Sequence, residues 1–594
     1  MKIERLLKSP AVFCAAVLLA SMLIIHPSLN MGLGDDFSYV RTAKYLAETG
    51  HLDYFGWATP MLGWQLLIAV PLIKLFGFSF NVVRASVFCV ALVLTLLLHP
   101  LFVRAGLRRR NATFATLAMV LSPIFLPLAY TYMSDVPGFF AIVLCLYCCL
   151  RAVESVEDQS AFRWLMFAAV SNVVGGTARQ IAWLGVLVMV PSTFWIIRHR
   201  RLPVALAVSI WVACVGMIFW ISRWFSHQLF SQPEKLISGP VNSGMLHQLI
   251  VSLLHFLLGL SLLSLPVFIA FFPGYVVRSR RLVGIVLLVV AAVGLAVVSG
   301  LHHHHQALLD WLAPFNRDFL TTRGMIEVPE IGDRPVVLGP VAQVILTLVS
   351  VGATLSFLLC LWRMAPARQT PAEDVSVISW HKLLLLLGPF AAAYLGLLLP
   401  RGAVELMRDR YVLVLLLVTL IVSIRFYQER VSRELPWVSF AFLFLFAAFG
   451  IAGTHDLFAM HRAKVAAADE LIEAGVPPAS FYGGFEYDGT TQIDQWGYVN
   501  AQAGLINVPP GVPYRFGTMA FKPCGYSSAK LFVAIHAKYA LSFSPDSCQG
   551  ASAFPAVTFH TWLPPFSGKI YIQNVTGLPT SNLRTRQDVP IGRP

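Results

Sequence analysis

Two neighbouring carboxylates, Asp35 and Asp36, stand in the stretch Gly34-Asp35-Asp36-Phe37-Ser38-Tyr39, just after the first long apolar run. A carboxylate placed there can act as a general base or a metal ligand. Asp is also a favoured N-cap, so one of the pair can cap a helix starting at Phe37 while its neighbour does chemistry. A third acid, Asp135, lies in Tyr132-Met133-Ser134-Asp135-Val136-Pro137, a very short turn between two apolar runs. A carboxylate that close to hydrocarbon is expensive to keep and marks a functional position; with Pro137 in the first helical turn it also fits an N-cap. Arginines complete the set. Arg179 sits in Gly176-Thr177-Ala178-Arg179-Gln180, and Arg401, Arg408 and Arg410 flank Glu405 and Asp409 before Tyr411. A guanidinium matches phosphate oxygens through two parallel hydrogen bonds. An interhelical salt bridge is the competing use for each.

Other signals are weaker. The run His302–His305 cannot aim all its neighbours at one ion. Gly32-Leu33-Gly34 is a lone glycine pair and specifies no nucleotide. Glu486, Asp488 and Asp494 read as solvated loop carboxylates. The chain has no phosphate-binding loop, no zinc-ligand spacing and no Gly-x-Ser-x-Gly elbow.

These residues need a scaffold, and the composition says which kind. Of 594 residues, 57% are hydrophobic and 12% charged, against roughly 45–50% and about 25% in an ordinary soluble protein. That much apolar surface requires a bilayer. The formal net charge of +14 suggests a nucleic-acid binder at first sight. The basic residues instead fall in short clusters between apolar runs: Arg104/Arg108/Arg109/Arg110, Arg198/Arg200/Arg201, Arg278/Arg280/Arg281 and Arg425/Arg430/Arg433. That is the pattern of cytoplasmic loops, so no nucleic-acid partner is expected. Cys14, Cys89, Cys145, Cys148, Cys149, Cys214 and Cys360 lie in apolar runs and read as small core side chains. Cys524 and Cys548 lie in polar surroundings, where a disulfide fits a region outside the cytosol.

A spanning helix needs about 20 apolar residues. Basic Lys2, Arg5 and Lys8 precede an apolar run from Pro10 to Ile25 without a following small-residue cleavage site, which predicts a retained first helix. Further runs lie near 80–103, 112–130, 136–151, 163–178, 181–197, 203–221, 249–274, 282–300, 339–362, 382–399, 411–425 and 436–453. The expectation is a polytopic α-helical membrane protein of about thirteen spans. Threading the basic clusters inward puts 29–79, 131–135, 178–181, 222–248, 301–338, 400–410 and everything after 454 outside. Residues 1–454 form the membrane module, and 455–594 a small extracytoplasmic α/β domain.

Within 29–79, Phe37, Val40, Ala43 and Ala47 share one face, Arg41, Lys44 and Glu48 another, and Gly50 ends the pattern. This predicts an amphipathic interfacial helix. A second apolar run from Pro60 to Phe76 is too short to span comfortably and predicts another interfacial helix. The tail reads as a helix over His461–Ala474, then strands near Lys530–Ile535, Tyr539–Phe543, Ala556–His560 and Lys569–Ile572.

Taken together, these features resemble the GT-C class of membrane glycosyltransferases. The features are a first helix followed by an outer Asp-Asp, two interfacial helices, a second outer turn with Asp before Pro, and a later Arg-Tyr opening a helix. Gly34 to Tyr39 is similar to the signature loop of the protein O-mannosyltransferase and aminoarabinose-transferase group, and the topological likeness covers most of residues 1–455. It implies transfer of a sugar from a polyprenyl-phosphate donor to a lipid, glycan or protein acceptor on the outer face of a bacterial inner (plasma) membrane. By position Asp35 would be the base, Asp36 the second acidic residue of the signature and Asp135 the second-loop acid. Arg179, Arg410 and Tyr411 would lie near the donor phosphate, with a divalent metal as an optional cofactor. The chain departs from the aminoarabinose transferases at Ala58-Thr59 before Pro60, where they carry an acidic–basic pair, so aminoarabinose is not implied as the sugar. A transporter or lipid flippase is the rival class; it would show inverted repeats and ionisable groups near the midplane, whereas here the notable acids sit at the outer ends of runs.

Overall fold

The computed structural model describes residues 9–233, 242–303, 309–315, 318–364, 378–403, 407–499, 523–548, 550 and 552–575. Its longer helices are α1 (Pro10–Ile25), α2 (Asp36–Thr49), α3 (Gly63–Phe76), α4 (Phe80–Arg104), α5 (Arg109–Val120), α6 (Asp135–Glu154), α7 (Asp158–Gly176) and α8 (Val204–Ser226). They continue as α9 (Ser243–Leu263), α10 (Arg280–His303), α11 (Pro340–Met364), α12 (Trp380–Gly402), α13 (Val412–Arg430), α14 (Trp437–Glu473) and α15 (Phe485–Trp496).

Among the described residues, nine helices are long and apolar enough to cross a membrane, with α1, α3, Gln180–Ile196 and Leu265–Arg278 as shorter apolar segments. Every apolar run expected from the sequence is helical, but several are interrupted. Helix α5 stops before Ser122-Pro123 and helix resumes at Phe125–Ala129. The run after Arg179 passes through a 3-10 turn (Gln180–Trp183) and a π turn (Gly185–Met189) before α-helix returns at Val190. Pro191, Pro266 and Pro273 mark the other breaks, since proline donates no backbone hydrogen bond and crowds the preceding turn.

The described parts of the segments expected outside contact one another. Gly63 N–H donates to Thr177 O (2.9 Å), Gly56 N–H to Phe230 O (2.9 Å) and Gln232 N–H to Ala58 O (3.2 Å). Gln65 Nε2 donates to Tyr132 O (3.0 Å) and Phe319 N–H to Asp409 (3.0 Å). The basic clusters gather at the other end, where Arg104 pairs with Glu154, Arg110 with Glu434, and Arg425 donates to Ala105 O.

The amphipathic helix is α2, ended by Gly50 in the left-handed conformation (φ 76°). The apolar run after Pro60 folds as the 14-residue α3. Helix α14 runs unbroken for 37 residues, so the expected tail helix and the last apolar run are one rod. A short hairpin, β1 (Leu320–Thr321) with β2 (Gly324–Met325), lies in the 318–338 segment. The tail folds on a four-stranded sheet ordered β3-β4-β6-β5: Phe481–Tyr482, Tyr539–Ser542, Ser567–Asn574 and Val557–His560. Strand β3 is parallel to β4 and the other pairings are antiparallel. The strand expected at Lys530–Ile535 is instead a 3-10 turn (Ser527–Leu531). β4 already has β3 and β6 as neighbours, and Phe532 and Ile535 pack into the core under α15. Cys524 and Cys548 are joined in a disulfide, and of the cysteines in apolar runs all but Cys89 are buried.

Candidate active site

Asp36 is fully buried at the start of α2. Arg84 of α4 grips it with two nitrogens, Nε 2.8 Å from Oδ2 and Nη2 3.1 Å from Oδ1. The Leu33 amide donates to Oδ1 (2.6 Å) and the Tyr132 amide to Oδ2 (3.1 Å). The rest of the Arg84 guanidinium donates to the carbonyls of Leu29 and Met31. Two opposite charges are kept out of water here because every strong partner site is filled. The pair staples the 29–36 segment to α4 and to the 131–135 turn.

Its neighbour is differently placed. The Asp35 side chain is 24% exposed and makes no cap bond to the α2 amides. The indole Nε1 of Trp57 donates to Oδ1 at 2.9 Å. Arg410 approaches Oδ2 at 3.4 and 3.5 Å, long for a charge-assisted bond. Burial pushes the Asp35 carboxyl up, but the Arg410 and Arg408 charges and the Trp57 bond outweigh it and hold the carboxyl below its ordinary value. Gly34, at φ 60°, makes the left-handed turn that delivers Asp35.

The second outer turn faces the same place. Arg179 Nη1 lies 2.9 Å from Asp135 Oδ2 and donates to Ser134 Oγ at 3.2 Å. The Tyr411 ring is flanked by Arg179 and Arg401, each 5.3 Å from its centroid, and by Arg410 at 5.8 Å. Asp409 accepts the amides of Phe319 and Leu320, and Arg408 pairs with Asp318 at 2.8 Å. Asp318 Oδ2 and Arg410 Nε stand 3.6 Å apart, and neither atom has a hydrogen-bond partner among the described residues. A narrow, partly open cleft lies here. Asp135, Arg179, Arg410 and Tyr411 line its polar part, and Phe139, Ile142, Leu413 and Val414 its apolar part. A second cavity, between the β1–β2 hairpin, α14 and Leu563–Pro565, has none of these carboxylates in its lining.

All six candidates thus come to one region: Arg410, Arg179, Asp135 and Tyr411 line the cleft, Asp35 pairs with Arg410, and Asp36 is held by Arg84 and the Tyr132 amide. Arg179 and Arg410 are each in an ion pair, the structural use, and each also lines the cleft. Arg84 and Trp57 were not singled out from sequence. An arginine inside an apolar run is itself a costly residue, and that signal marks Arg84; nothing in the sequence marks Trp57.

Two of the three tail carboxylates need correction, while Asp494 is exposed. Glu486 and Asp488 are not solvated loop residues: both are fully buried in the first turn of α15. Asp494 pairs with Arg41 of α2 at 2.7 Å. The side chains of His302–His305, and the residue Glu405, lie outside the described residues. Among the described residues, no group of three or more His, Cys, Asp or Glu side chains is placed to hold a metal ion.

No protein-family model and no curated protein matches the sequence. Solved structures of GT-C glycosyltransferases do match. ArnT from Cupriavidus metallidurans in the apo state is 14% identical, over 80% of this chain and 82% of its own, with a TM-score of 0.37. The same protein bound to undecaprenyl phosphate is 14% identical over 80% and 83%, with a TM-score of 0.36. The oligosaccharyltransferase AglB from Archaeoglobus fulgidus, in complex with an inhibitory peptide and a dolichol-phosphate, is 14% identical over 75% of this chain and 55% of its own, with a TM-score of 0.36.

Proposed function

We propose that this protein is an inverting glycosyltransferase of the GT-C type, moving a sugar from a polyprenyl-phosphate donor to an acceptor hydroxyl outside the cytoplasm. The observation that carries this reading is the cleft itself. It joins Arg179, Arg410 and the Asp135 carboxylate to an apolar wall, the complement of an amphiphile with an anionic head, and Asp35 pairs with Arg410 beside it. Residues 1–454 are then the catalytic module, in the inner (plasma) membrane of a bacterium, and 455–594 an extracytoplasmic domain. The Cys524–Cys548 bridge supports that side, because disulfides persist in oxidising compartments. The basic clusters at the opposite end support it too.

In the reaction the bond from the anomeric carbon to the phosphate oxygen breaks as the acceptor oxygen attacks from the opposite face, inverting the centre. The leaving polyprenyl phosphate keeps the electron pair, and Arg179 and Arg410 stabilise the charge it gains. Asp35 takes the acceptor proton. Its contact with Arg410 is long, so a donor phosphate competes for that guanidinium; losing it makes Asp35 a stronger base. Asp36 positions the loop through Arg84. The acceptor is a lipid, a glycan or a protein.

The test is mass spectrometry of lipid-linked sugars and envelope glycoconjugates in cells with and without the gene. Accumulated polyprenyl-phosphate sugar with a missing sugar on one envelope product supports the reading. Unchanged glycoconjugates with a lipid redistributed between leaflets would favour a flippase instead.

A further inference from the structure

The first turn of α15 in the tail touches both flanks of Asp35. Glu486 Oε1 accepts the backbone N–H of Gly34, one residue before Asp35, at 3.1 Å. Phe485 packs edge-on against the Trp57 ring at 5.4 Å and against Phe37 at 5.7 Å, and Trp57 is the residue that donates to Asp35. The approach is close: a Cβ on Gly489 would stand 2.6 Å from the Phe37 ring. Phe37, on the turn after Asp35, belongs to the tail's own hydrophobic core with Tyr482, Ile493 and Phe532.

Glu486 is itself anchored. Lys464 of α14 lies 3.5 Å from its Oε2 and 3.2 Å from Glu330, His461 Nε2 is 4.0 Å from Oε1, and Arg334 is 3.6 Å from Glu330. Two cations, two carboxylates and an imidazole are therefore buried together where the last helix, the 318–338 segment and the tail meet the Asp35 loop. Such a group is costly unless its geometry is fixed, and fixed geometry is what it imposes on Gly34.

We propose that α15 is a positioning element of the active site, with Glu486 holding the Gly34 backbone and Phe485 the Trp57 indole, so that the tail sets the direction of the Asp35 carboxylate. This rests on Asp35 acting in the proposed transfer. Glu486 and Phe485 touch no substrate in this scheme and act only through Gly34 and Trp57.

The experiment uses the full-length protein in lipid nanodiscs, with Glu486→Ala, Glu486→Gln and Phe485→Leu beside the wild type. It reads donor kinetics and amide hydrogen exchange over residues 31–37. Glu486→Ala should lower kcat on the order of tenfold to a hundredfold, as misplacement of a reacting group does, with the donor KM nearly unchanged and faster exchange at 31–37. Glu486→Gln should recover most of kcat and protection, because its amide oxygen still accepts Gly34 N–H while Lys464 keeps Glu330. Phe485→Leu, which retains the buried network, should lower kcat in the same sense, and it decides the matter if Glu486→Ala does not fold. Wild-type kcat and exchange in Glu486→Ala and Phe485→Leu would overturn the proposal, as would Gln and Ala losing activity equally. Should the wild type transfer no sugar while exchange at 31–37 still responds as expected, the proposed function fails and the tail's hold on the loop stands.

Discussion

Arg410 and Asp35, 375 positions apart in the chain, meet with Nη2 3.4 Å from Oδ2, beside the cleft that Arg410 lines together with Arg179 and Asp135. The contact helps hold the carboxyl below its ordinary value, and in the proposed reaction it is the one exchanged for the donor phosphate.

Replacing Arg410 or Arg179 by lysine should weaken donor use while leaving the fold intact. A charge-assisted bond to phosphate is worth roughly 1.5–3 kcal/mol, about a 10- to 100-fold loss for Arg→Ala, and lysine recovers only part because it cannot make the paired contact. If binding tightens as the phosphate departs, kcat falls along with apparent affinity. Donor kinetics and melting temperature measured on the same purified variants check this. Lowered stability with normal kinetics would leave these arginines as structural salt bridges.

Trp57→Phe should move the acid limb of the kcat/KM profile upward in pH. The wild-type Asp35 carboxyl is held below its ordinary value, with burial outweighed by Arg410, Arg408 and the indole bond. A base is lost only when protonated, so wild-type activity should persist down to the usual carboxylate pKa of about 3.9 and fail below it. By the same linkage, the Asp35 pairing stabilises the fold above that value and is lost as pH falls through the depressed one. Phenylalanine keeps the ring and removes the donor. An acid limb that does not move would separate Trp57 from the base.

Asp36→Asn should behave unlike any change at Asp35. It leaves the Arg84 guanidinium, 4% exposed, without its counter-charge, and breaking one side of a buried pair costs about 3–5 kcal/mol. Denaturation should show a large loss of stability. A variant that melts like the wild type but transfers nothing would return Asp36 to the chemistry.

In the tail, Asp488 makes stability pH-dependent in the opposite sense to Asp35. Burial pushes its carboxyl up to about 7, against the Gly483 amide and the Tyr526 hydroxyl. The folded state holds a proton that the unfolded chain releases near pH 3.9, so stability falls as pH rises between those values. Asp488→Asn should remove that slope while still accepting the Gly483 N–H. Melting curves from about pH 5 to about pH 8 test it, and parallel curves for the two proteins would contradict it.

The sequence was most legible where one physical rule dominated. Apolar runs gave every long helix, Gly50 gave the end of α2, and alternating residues gave Tyr539–Ser542 and Ser567–Asn574 nearly to their ends. Asp35 stood out as a carboxylate just after the first apolar run, Asp135 because a carboxylate so near hydrocarbon is costly, and Arg179 and Arg410 as guanidiniums beside outer turns that match phosphate. The length of α14 was hidden, since its residues change from apolar to amphipathic midway and a boundary at 454 looked natural. Helix α15 and its buried Glu486 were hidden for another reason. Glu486 and Asp488 look solvated in the sequence because what buries them is tertiary packing, as where Glu486 accepts from Gly34, 452 positions away.

The most direct measurement is turnover by purified Asp35→Asn beside the wild type, in nanodiscs supplied with polyprenyl-phosphate sugars and envelope acceptors, following released polyprenyl phosphate and sugar on the acceptor together. The amide keeps the shape of the side chain and still accepts from Trp57, but it cannot take a proton. The account predicts coupled release and transfer by the wild type, with donor binding intact and both products absent in the variant. Normal turnover by Asp35→Asn would contradict it, as would a wild type that moves the lipid across the bilayer without breaking the bond to its sugar.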